Sequence, residues 1–166
     1  VQTRPNLKLN DRRLIYRRAQ PNSMPTLLIT GGAGFIGAHT AKMAMDFGWD
    51  VRILDNLSTG LASTIKSLQA AGAVFIQGDV RDIDVVAGAV EGCSAVVHFA
   101  AQVSVPRSME QPQETMEINI GGTENLIHAC RELEIKRFVI ASSAAVYGTN
   151  DRFPLHESDA GAFHSP

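Results

Sequence analysis

Eight residues, TGGAGFIG (30–37), have the composition and spacing of a loop that binds phosphate groups. They match GxGxxG through Gly32, Gly34 and Gly37, and they match GxxGxxG when Gly31 is taken as the first glycine. In either alignment the glycines permit a tight turn, let the backbone approach a pyrophosphate, and let the following helix pack closely on its strand. The N-terminus of that helix adds free N–H groups and the positive end of its dipole.

An acidic residue at the end of the next predicted strand gives the glycine loop a context. Asp55 follows the loop by about 20 residues, the spacing of dinucleotide-binding sites. Its carboxylate can accept hydrogen bonds from both hydroxyls of the adenosine ribose, and it would repel a 2′-phosphate. A turn or helix cap is the alternative role for such a residue. We therefore expect NAD rather than NADP, and Arg52, inside the strand, is a poor candidate for a 2′-phosphate ligand.

The elements that must position this loop form an alternating pattern. Short apolar runs, typical of buried strands, occur at 26–30, 50–55, 73–77, 95–100 and 136–142. Helices are predicted between them at 35–47, 61–70, 83–91 and about 113–133. Strands of this kind, each followed by a helix, predict an α/β fold with a doubly wound parallel sheet of about five strands, the Rossmann architecture.

Two of these helices have apolar stripes that we expect to face the sheet. In the first the stripe consists of Ile36, Thr40, Met43 and Phe47. In the last it consists of Met116, Ile120, Thr123, Ile127 and Cys130. No further element is predicted after Ser142.

Composition limits the class of protein. The 166 residues suffice for one domain, and no apolar run approaches the roughly 20 residues that a membrane span needs. Cys93 and Cys130 are far apart and lack the spacing of a metal site or a disulfide framework, so we expect no metal, no membrane association and a cytoplasmic location. Residues 1–23 have a net charge of +5 against −7 for the remainder. We interpret them as a disordered basic extension and 24–166 as the folded domain; nucleic-acid binding by the extension is an alternative, but no nucleic-acid partner is expected.

Six motifs, in order, resemble those of the extended short-chain dehydrogenase/reductases, the family of nucleotide-sugar epimerases and dehydratases. They are TGGAGFIG (30–37), DNLSTG (55–60), GDVRD (78–82), HFAAQVSVPRSMEQP (98–112), NIGGTENLI (119–127) and SSAAVYG (142–148). The resemblance covers about 24–166 and is strongest to UDP-glucose and UDP-N-acetylglucosamine 4-epimerases. It implies NAD as cofactor, a UDP-sugar as substrate and, for the full-length relatives, a homodimer formed by two helices per subunit, one of them the helix at 113–133.

The resemblance also implies a role for individual residues. Phe35 and Ile36 would line the pyrophosphate loop beside Gly31, Gly34 and Gly37. The adenosine ribose and neighbouring phosphate would be held by Asp55, Asn56, Leu57, Ser58, Thr59 and Gly60. Asp79 would accept a hydrogen bond from the adenine amino group, with Val80 beside it. Further contacts along the cofactor would come from Phe99, Ala100, Ala101 and Gln102, and from Asn119 near the nicotinamide.

Ser143 matches the catalytic Ser/Thr of the family, which would share or shuttle the proton of the sugar hydroxyl. The family's general base is a Tyr followed four residues later by a Lys that lowers its pKa. Neither Tyr16 nor Tyr147 has a Lys at that spacing. Ser165 and Pro166 match the start of the family's Ser-Pro-Tyr segment, so the resemblance predicts that the chain stops just before the base. The later strands and the substrate domain would then be missing, and the 166 residues alone would be inactive. A 4,6-dehydratase and a non-catalytic NAD-binding sensor of the same fold are the alternatives.

Overall fold

The computed structural model describes residues 24–148 and 153–160, and these form an α/β domain. Its strands are β1 (Thr26–Thr30), β2 (Asp50–Asp55), β3 (Val74–Gln77), β4 (Ala95–His98) and β5 (Phe138–Ile140). Its α-helices are α1 (Phe35–Asp46), α2 (Ala62–Ala70), α3 (Ile83–Val90), α4 (Val105–Glu110), α5 (Pro112–Met116) and α6 (Gly122–Glu132). A π-helical turn, Glu117–Gly121, joins α5 to α6, and short 3₁₀ turns follow at Ala144–Tyr147 and Glu157–Asp159. The basic extension predicted at 1–23, with Tyr16, and the pair Ser165–Pro166 lie outside the described residues.

All five strands pair in parallel in the order β3-β2-β1-β4-β5. The chain therefore leaves β1 toward one edge of the sheet and, after β3, returns to the other side of β1. This reversal between β1 and β4 is the topological switch point at which doubly wound sheets bind ligands. The predicted fold class is confirmed.

The two faces of the sheet bury separate apolar cores, because successive residues of β1 point to opposite faces. Leu27 and Ile29 belong to the core shared with α1 and α2. Leu28 belongs to the other core, which includes Leu54 and residues of α3 and α6. Helices thus cover both faces, and the loops at the carboxyl ends of the strands are left for a site.

The predicted buried face of α1 is wrong. Ile36 and Met43 are each 61% exposed, and the helix buries Gly37, Ala41 and Ala44 instead. These small side chains allow the helix to approach the sheet closely at the glycine loop, and large apolar residues on that side would hold it away.

The single helix predicted at 113–133 is also wrong in detail. It is divided into α5 and α6 by the π-helical turn, and α4 precedes it where no helix was predicted. Of the predicted stripe, Cys130 is buried, whereas Met116, Ile120 and Ile127 are 59%, 53% and 51% exposed. The sheet is instead covered by the neighbouring stripe of α6, which consists of Gly122, Leu126, Ala129 and Cys130. Helix α6 thus has apolar residues on two sides, and the side with the smaller residues packs on the sheet.

Three strands are shorter than predicted. β3 begins at Val74, β4 ends at His98, and β5 spans Phe138–Ile140. Phe99 and Ala100 consequently lie in the loop beyond β4. Within the described residues, none of the helices combines the length and hydropathy needed to cross a membrane.

Candidate functional site

A cleft of about 970 Å³ lies where the loops after β1 and β4 diverge. All of the predicted site residues except Leu57 and Gly60 line it. They are Gly31, Gly34, Phe35, Ile36, Gly37, Asp55, Asn56, Ser58, Thr59, Asp79, Val80, Phe99, Ala100, Ala101, Gln102, Asn119 and Ser143. The structure thus brings together residues that are more than a hundred positions apart in the sequence, at the place where the sheet topology predicts a ligand. Their binding roles stay predictions.

The backbone of the glycine loop approaches its neighbours so closely that Gly31 and Gly37 leave no room for a side chain. Gly31 has φ +69, and a Cβ added there would lie 2.7 Å from the backbone nitrogen of Ala100. A Cβ added at Gly37 would lie 2.8 Å from the Cα of Gly32. No side chain caps the first turn of α1, which begins beside Gly34. A pyrophosphate fits this backbone cradle, since its oxygens are the acceptors that the N–H groups of a helix N-terminus favour.

Asp55, at the end of β2, connects the glycine loop to the turn that follows the strand. Its Oδ2 accepts the N–H of Ala33 at 2.9 Å, and its Oδ1 accepts the N–H of Leu57 at 2.8 Å. A carboxylate has about four acceptor positions, so each oxygen keeps one for a ribose hydroxyl. Leu57 itself packs against the apolar core, and Gly60 packs against Ala33 and Asp55. These two residues therefore support the turn after β2 without lining the cleft.

Arg52, on the same strand, is engaged elsewhere. Its Nη1 donates to the carbonyl oxygens of Ala89 and Glu91, each at 2.7 Å, at the C-terminus of α3. This guanidinium stabilises the unpaired carbonyls of that helix end. It is not directed at the ribose position beside Asp55, as expected from the sequence.

Asp79, after β3, is paired more tightly than expected. Arg81 donates to it through Nε at 2.9 Å, Nη2 at 2.8 Å and its backbone N–H at 2.9 Å, and Asn56 Nδ2 donates at 3.0 Å. The hydrogen bond from the Arg81 side chain is the main reason that the pKa of Asp79 lies well below its usual range. Each carboxylate oxygen already has two donors, so the side chain caps the turn after β3. Its role toward adenine stays a prediction.

An ion-pair network extends from Asp79 to the helices beside the cleft. Arg81 Nη1 lies 3.9 Å from Glu114 Oε1, and Arg107 Nη2 donates to Glu114 Oε2 at 2.9 Å. Arg107 is on α4 and Glu114 on α5. The network therefore joins the β3 loop to both helices, although exposed pairs of this kind contribute little stability individually.

Asn119 holds the loop after β4. Its Oδ1 accepts the N–H of Gln102 at 2.7 Å and its Nδ2 donates to the carbonyl oxygen of Gln102 at 3.0 Å. Both polar groups of the amide are thus used within the chain, where they fix the backbone of Gln102. Its proximity to a nicotinamide stays a prediction.

Ser143 begins the 3₁₀ turn after β5. Its Oγ accepts the N–H of Ala145 at 3.2 Å, and the residue is exposed at the edge of the cleft. Tyr147 ends the same turn. A hydroxyl in this position is accessible to a substrate, as a proton shuttle must be.

The sequence reasoning missed residues that support the cleft. Arg81, Arg107 and Glu114 take part in the ion-pair network, and Thr30, His98 and Thr123 form a hydrogen-bonded chain around the buried imidazole of His98. All of these residues except Glu114 stand inside the recognised motifs, so the motifs could have drawn attention to them. Their partners come from distant segments, and no spacing in the sequence predicts those contacts.

This chain matches known proteins along most of its length. The model of the NAD dependent epimerase/dehydratase family matches residues 27–166. A UDP-glucose 4-epimerase of Lacticaseibacillus casei is 39% identical over 136 residues, which are 81% of this chain and 40% of the relative. The chain thus spans about 40% of the length of that relative.

Solved structures of relatives have the same fold as this chain. The UDP-Glc/GlcNAc 4-epimerase of Campylobacter jejuni has a TM-score of 0.77 at 34% identity, covering 83% of this chain and 43% of its own. A UDP-glucose-4-epimerase of Stenotrophomonas maltophila, crystallised with bound NAD and formylated UDP-arabinopyranose, has a TM-score of 0.76 at 35% identity, covering 82% and 42%. At these identities the likeness extends beyond the fold alone.

Proposed function

The chain belongs to the NAD dependent epimerase/dehydratase family, and on that premise we propose that it is the NAD-binding part of a nucleotide-sugar 4-epimerase. The observation that supports this most strongly is the geometry around Asp55. One carboxylate, which lines the cleft, accepts N–H groups from the glycine loop and from the turn after β2, and each of its oxygens keeps one acceptor position.

Each part of the cleft has a task in this proposal. NAD, when bound, supplies the hydride acceptor for oxidation and re-reduction of the sugar. The backbone of residues 31–37 binds the pyrophosphate, and Asp55 accepts the ribose hydroxyls. Asn119 fixes the loop at Gln102, and Ser143 moves a proton at the sugar hydroxyl. All of these residues except Ser143 therefore bind or orient the cofactor.

The proposed substrate is a UDP-sugar, UDP-glucose or UDP-N-acetylglucosamine. The support comes from the relatives, whose names specify these sugars, and from the DNLSTG and AAQVSVPRS segments. The dehydratase alternative uses the same cofactor and the same cleft, so this part of the chain does not discriminate between the two reactions.

The test is calorimetric titration of the chain with NAD and with NADP. We expect NAD to bind more tightly, because Asp55 repels a 2′-phosphate and Arg52 is held by α3. Asp55→Asn should weaken NAD by roughly tenfold or more, the usual worth of a hydrogen bond to a charged group, and should reduce the discrimination. Asp50→Asn, an exposed carboxylate at the start of the same strand, is the matched control and should change neither value. Equal affinities for the two cofactors would refute the role of Asp55.

We also propose that the whole protein is a homodimer through the outer face of α5 and α6. Met116, Ile120 and Ile127 form an exposed apolar stripe there, continuous across the π-helical turn. Such a stripe is typical of helices that pack against a second subunit. Sedimentation equilibrium of a full-length relative with the change corresponding to Ile120→Glu should show monomers, whereas an unchanged dimer would place the interface elsewhere.

A cytoplasmic location completes the proposal. Cys93 and Cys130 are free and buried. Burial raises the pKa of both thiols, so they are protonated and unreactive near neutral pH. Unpaired cysteines of this kind suit a reducing compartment.

A further inference from the structure

A chain of hydrogen bonds centred on a buried histidine runs through the wall of the cleft. His98, the last residue of β4, is 3% exposed. Its Nδ1 lies 2.6 Å from the hydroxyl of Thr30, at the end of β1, and its Nε2 lies 3.0 Å from the hydroxyl of Thr123, on α6. Thr30 Oγ1 also accepts the N–H of Ala100 at 3.2 Å, and Thr123 Oγ1 donates to the carbonyl oxygen of Asn119 at 2.7 Å. Two strands and a helix are thus connected through one imidazole.

The direction of these hydrogen bonds follows from the number of protons available. The hydroxyl of Thr123 has one proton, and the carbonyl oxygen of Asn119 can only accept, so that proton lies between them. Thr123 Oγ1 therefore presents a lone pair to His98, and Nε2 must be the protonated nitrogen of the ring. In a neutral imidazole Nδ1 is then an acceptor, and the hydroxyl of Thr30 donates to it. In this arrangement four groups each donate one hydrogen bond: the N–H of Ala100, the hydroxyls of Thr30 and Thr123, and the Nε2–H of His98.

The opposite tautomer does not satisfy the same contacts. If Nδ1 were protonated, Nε2 would need the proton of Thr123, and two oxygen lone pairs would face each other across the 2.7 Å between Thr123 and Asn119. Among the described residues the hydroxyl of Thr30 has no acceptor other than His98 Nδ1, so its own proton would also be unpaired. Burial lowers the pKa of His98 to about 4, which keeps the ring neutral near pH 7.

We propose that His98, held as the Nε2–H tautomer, is a positioning residue for the cofactor cleft. It acts at two places on the wall of the cleft. Through Thr30 it fixes the N–H of Ala100, whose nitrogen lies where a Cβ on Gly31 would collide with it. Through Thr123 it fixes the backbone of Asn119, whose amide in turn holds Gln102. The glycine loop and the loop after β4 are therefore set relative to each other by one ring. The inference rests on the proposed binding of NAD in this cleft.

The first part of the test reads the tautomer directly and uses the unmodified chain. Nitrogen-15 NMR of the histidine rings at pH 7 should show a protonated Nε2 and an unprotonated Nδ1 for His98. His98→Asn identifies the signal by its loss. A protonated Nδ1, or a ring with both nitrogens protonated at this pH, would overturn the inference without any reference to the cofactor.

The second part measures the effect on the cofactor. Thr123→Val removes the acceptor for Nε2 and should weaken NAD by about 3- to 10-fold, the usual worth of one hydrogen bond. It should also shift both ring nitrogen signals. Thr123→Ser keeps the hydroxyl and should restore both values. His128→Gln, an exposed residue on the same helix α6, is the matched control and should change neither.

The outcomes separate this inference from the proposed function. If the unmodified chain binds NAD and Thr123→Val lowers the melting temperature but leaves the dissociation constant unchanged, the chain of hydrogen bonds is merely structural and the inference is wrong. If the unmodified chain does not bind NAD at all, the proposed function fails, and the positioning role fails with it even where the tautomer is correct.

Discussion

Replacing Gly31 by alanine should destabilise the domain strongly, because the added methyl group would collide with the backbone of a second loop. Gly31 has φ +69, and the new Cβ would lie 2.7 Å from the nitrogen of Ala100 and 2.8 Å from the carbonyl carbon of Phe99. Both are backbone atoms, so no side-chain rotation relieves the overlap. The glycine loop and the loop after β4 would have to move apart.

The magnitude has two parts. A left-handed backbone costs a residue with a Cβ about 1–2 kcal/mol. Overpacking typically adds about 1–3 kcal/mol. Gly31→Ala should therefore lower the free energy of unfolding by about 2–5 kcal/mol, which is a large part of the roughly 5–15 kcal/mol of a typical domain.

Two matched substitutions separate the parts. Gly72 has φ +107 with no atom within 4 Å of an added Cβ, so Gly72→Ala should cost only the backbone part of about 1–2 kcal/mol. Gly88 lies inside α3 with open space around it, so Gly88→Ala should stabilise the domain by up to about 1 kcal/mol.

Urea unfolding of the three variants, followed by circular dichroism, gives the free energies, and calorimetry gives the affinity for NAD. We expect Gly31→Ala to lose both stability and NAD binding, and the other two to keep NAD binding. A Gly31→Ala variant as stable as Gly72→Ala would refute the close approach of the two loops.

Three further predictions follow from the charges and the sequence. His98 has a folded pKa of about 4 against an ordinary 6.5, so its contribution to the free energy of unfolding is complete above pH 6.5 and is lost as pH falls toward 4. The loss is at most about 3 kcal/mol. Urea unfolding between pH 6.5 and pH 4 should show this loss in His128→Gln but not in His98→Gln. Arg81→Gln should raise the pKa of Asp79 toward its ordinary value, which a carbon-13 titration of the carboxyl group measures, and an unchanged low pKa would show that Arg81 is not its cause. The 166-residue chain should not epimerise UDP-glucose or UDP-N-acetylglucosamine, because it has no Tyr-xxx-Lys pair, and measurable turnover by the pure chain would contradict the assignment of the base.

The strands and the glycine loop could be predicted because their signals are local. The bounds of β1 and β2 agree with the prediction, since short apolar runs end at a glycine or at Asp55. The buried face of α1 could not be predicted from apolar periodicity. Its alanines and glycine face the sheet because they allow close packing, whereas Ile36 and Met43 are exposed to solvent.

The site could be predicted as a set of residues but not as a set of contacts. Asp55 and the glycine loop follow from a motif with a known physical purpose, and the sheet topology brings them together. The pairing of His98 with Thr30 spans 68 positions, and no pattern within one segment indicates it. The same holds for Asp79, whose carboxylate was expected to be free for a ligand and is instead surrounded by donors from Arg81 and Asn56.

The central claim is that NAD binds at the carboxyl ends of β1 and β4. Backbone amide NMR during an NAD titration tests it directly. We predict saturable shifts of the amide signals of residues 31–37 and 100–102, with the amides of α3 unchanged, because none of the residues of that helix lines the cleft. Saturating NAD that leaves the signals of 31–37 in place, or that moves only those of α3, would contradict the account.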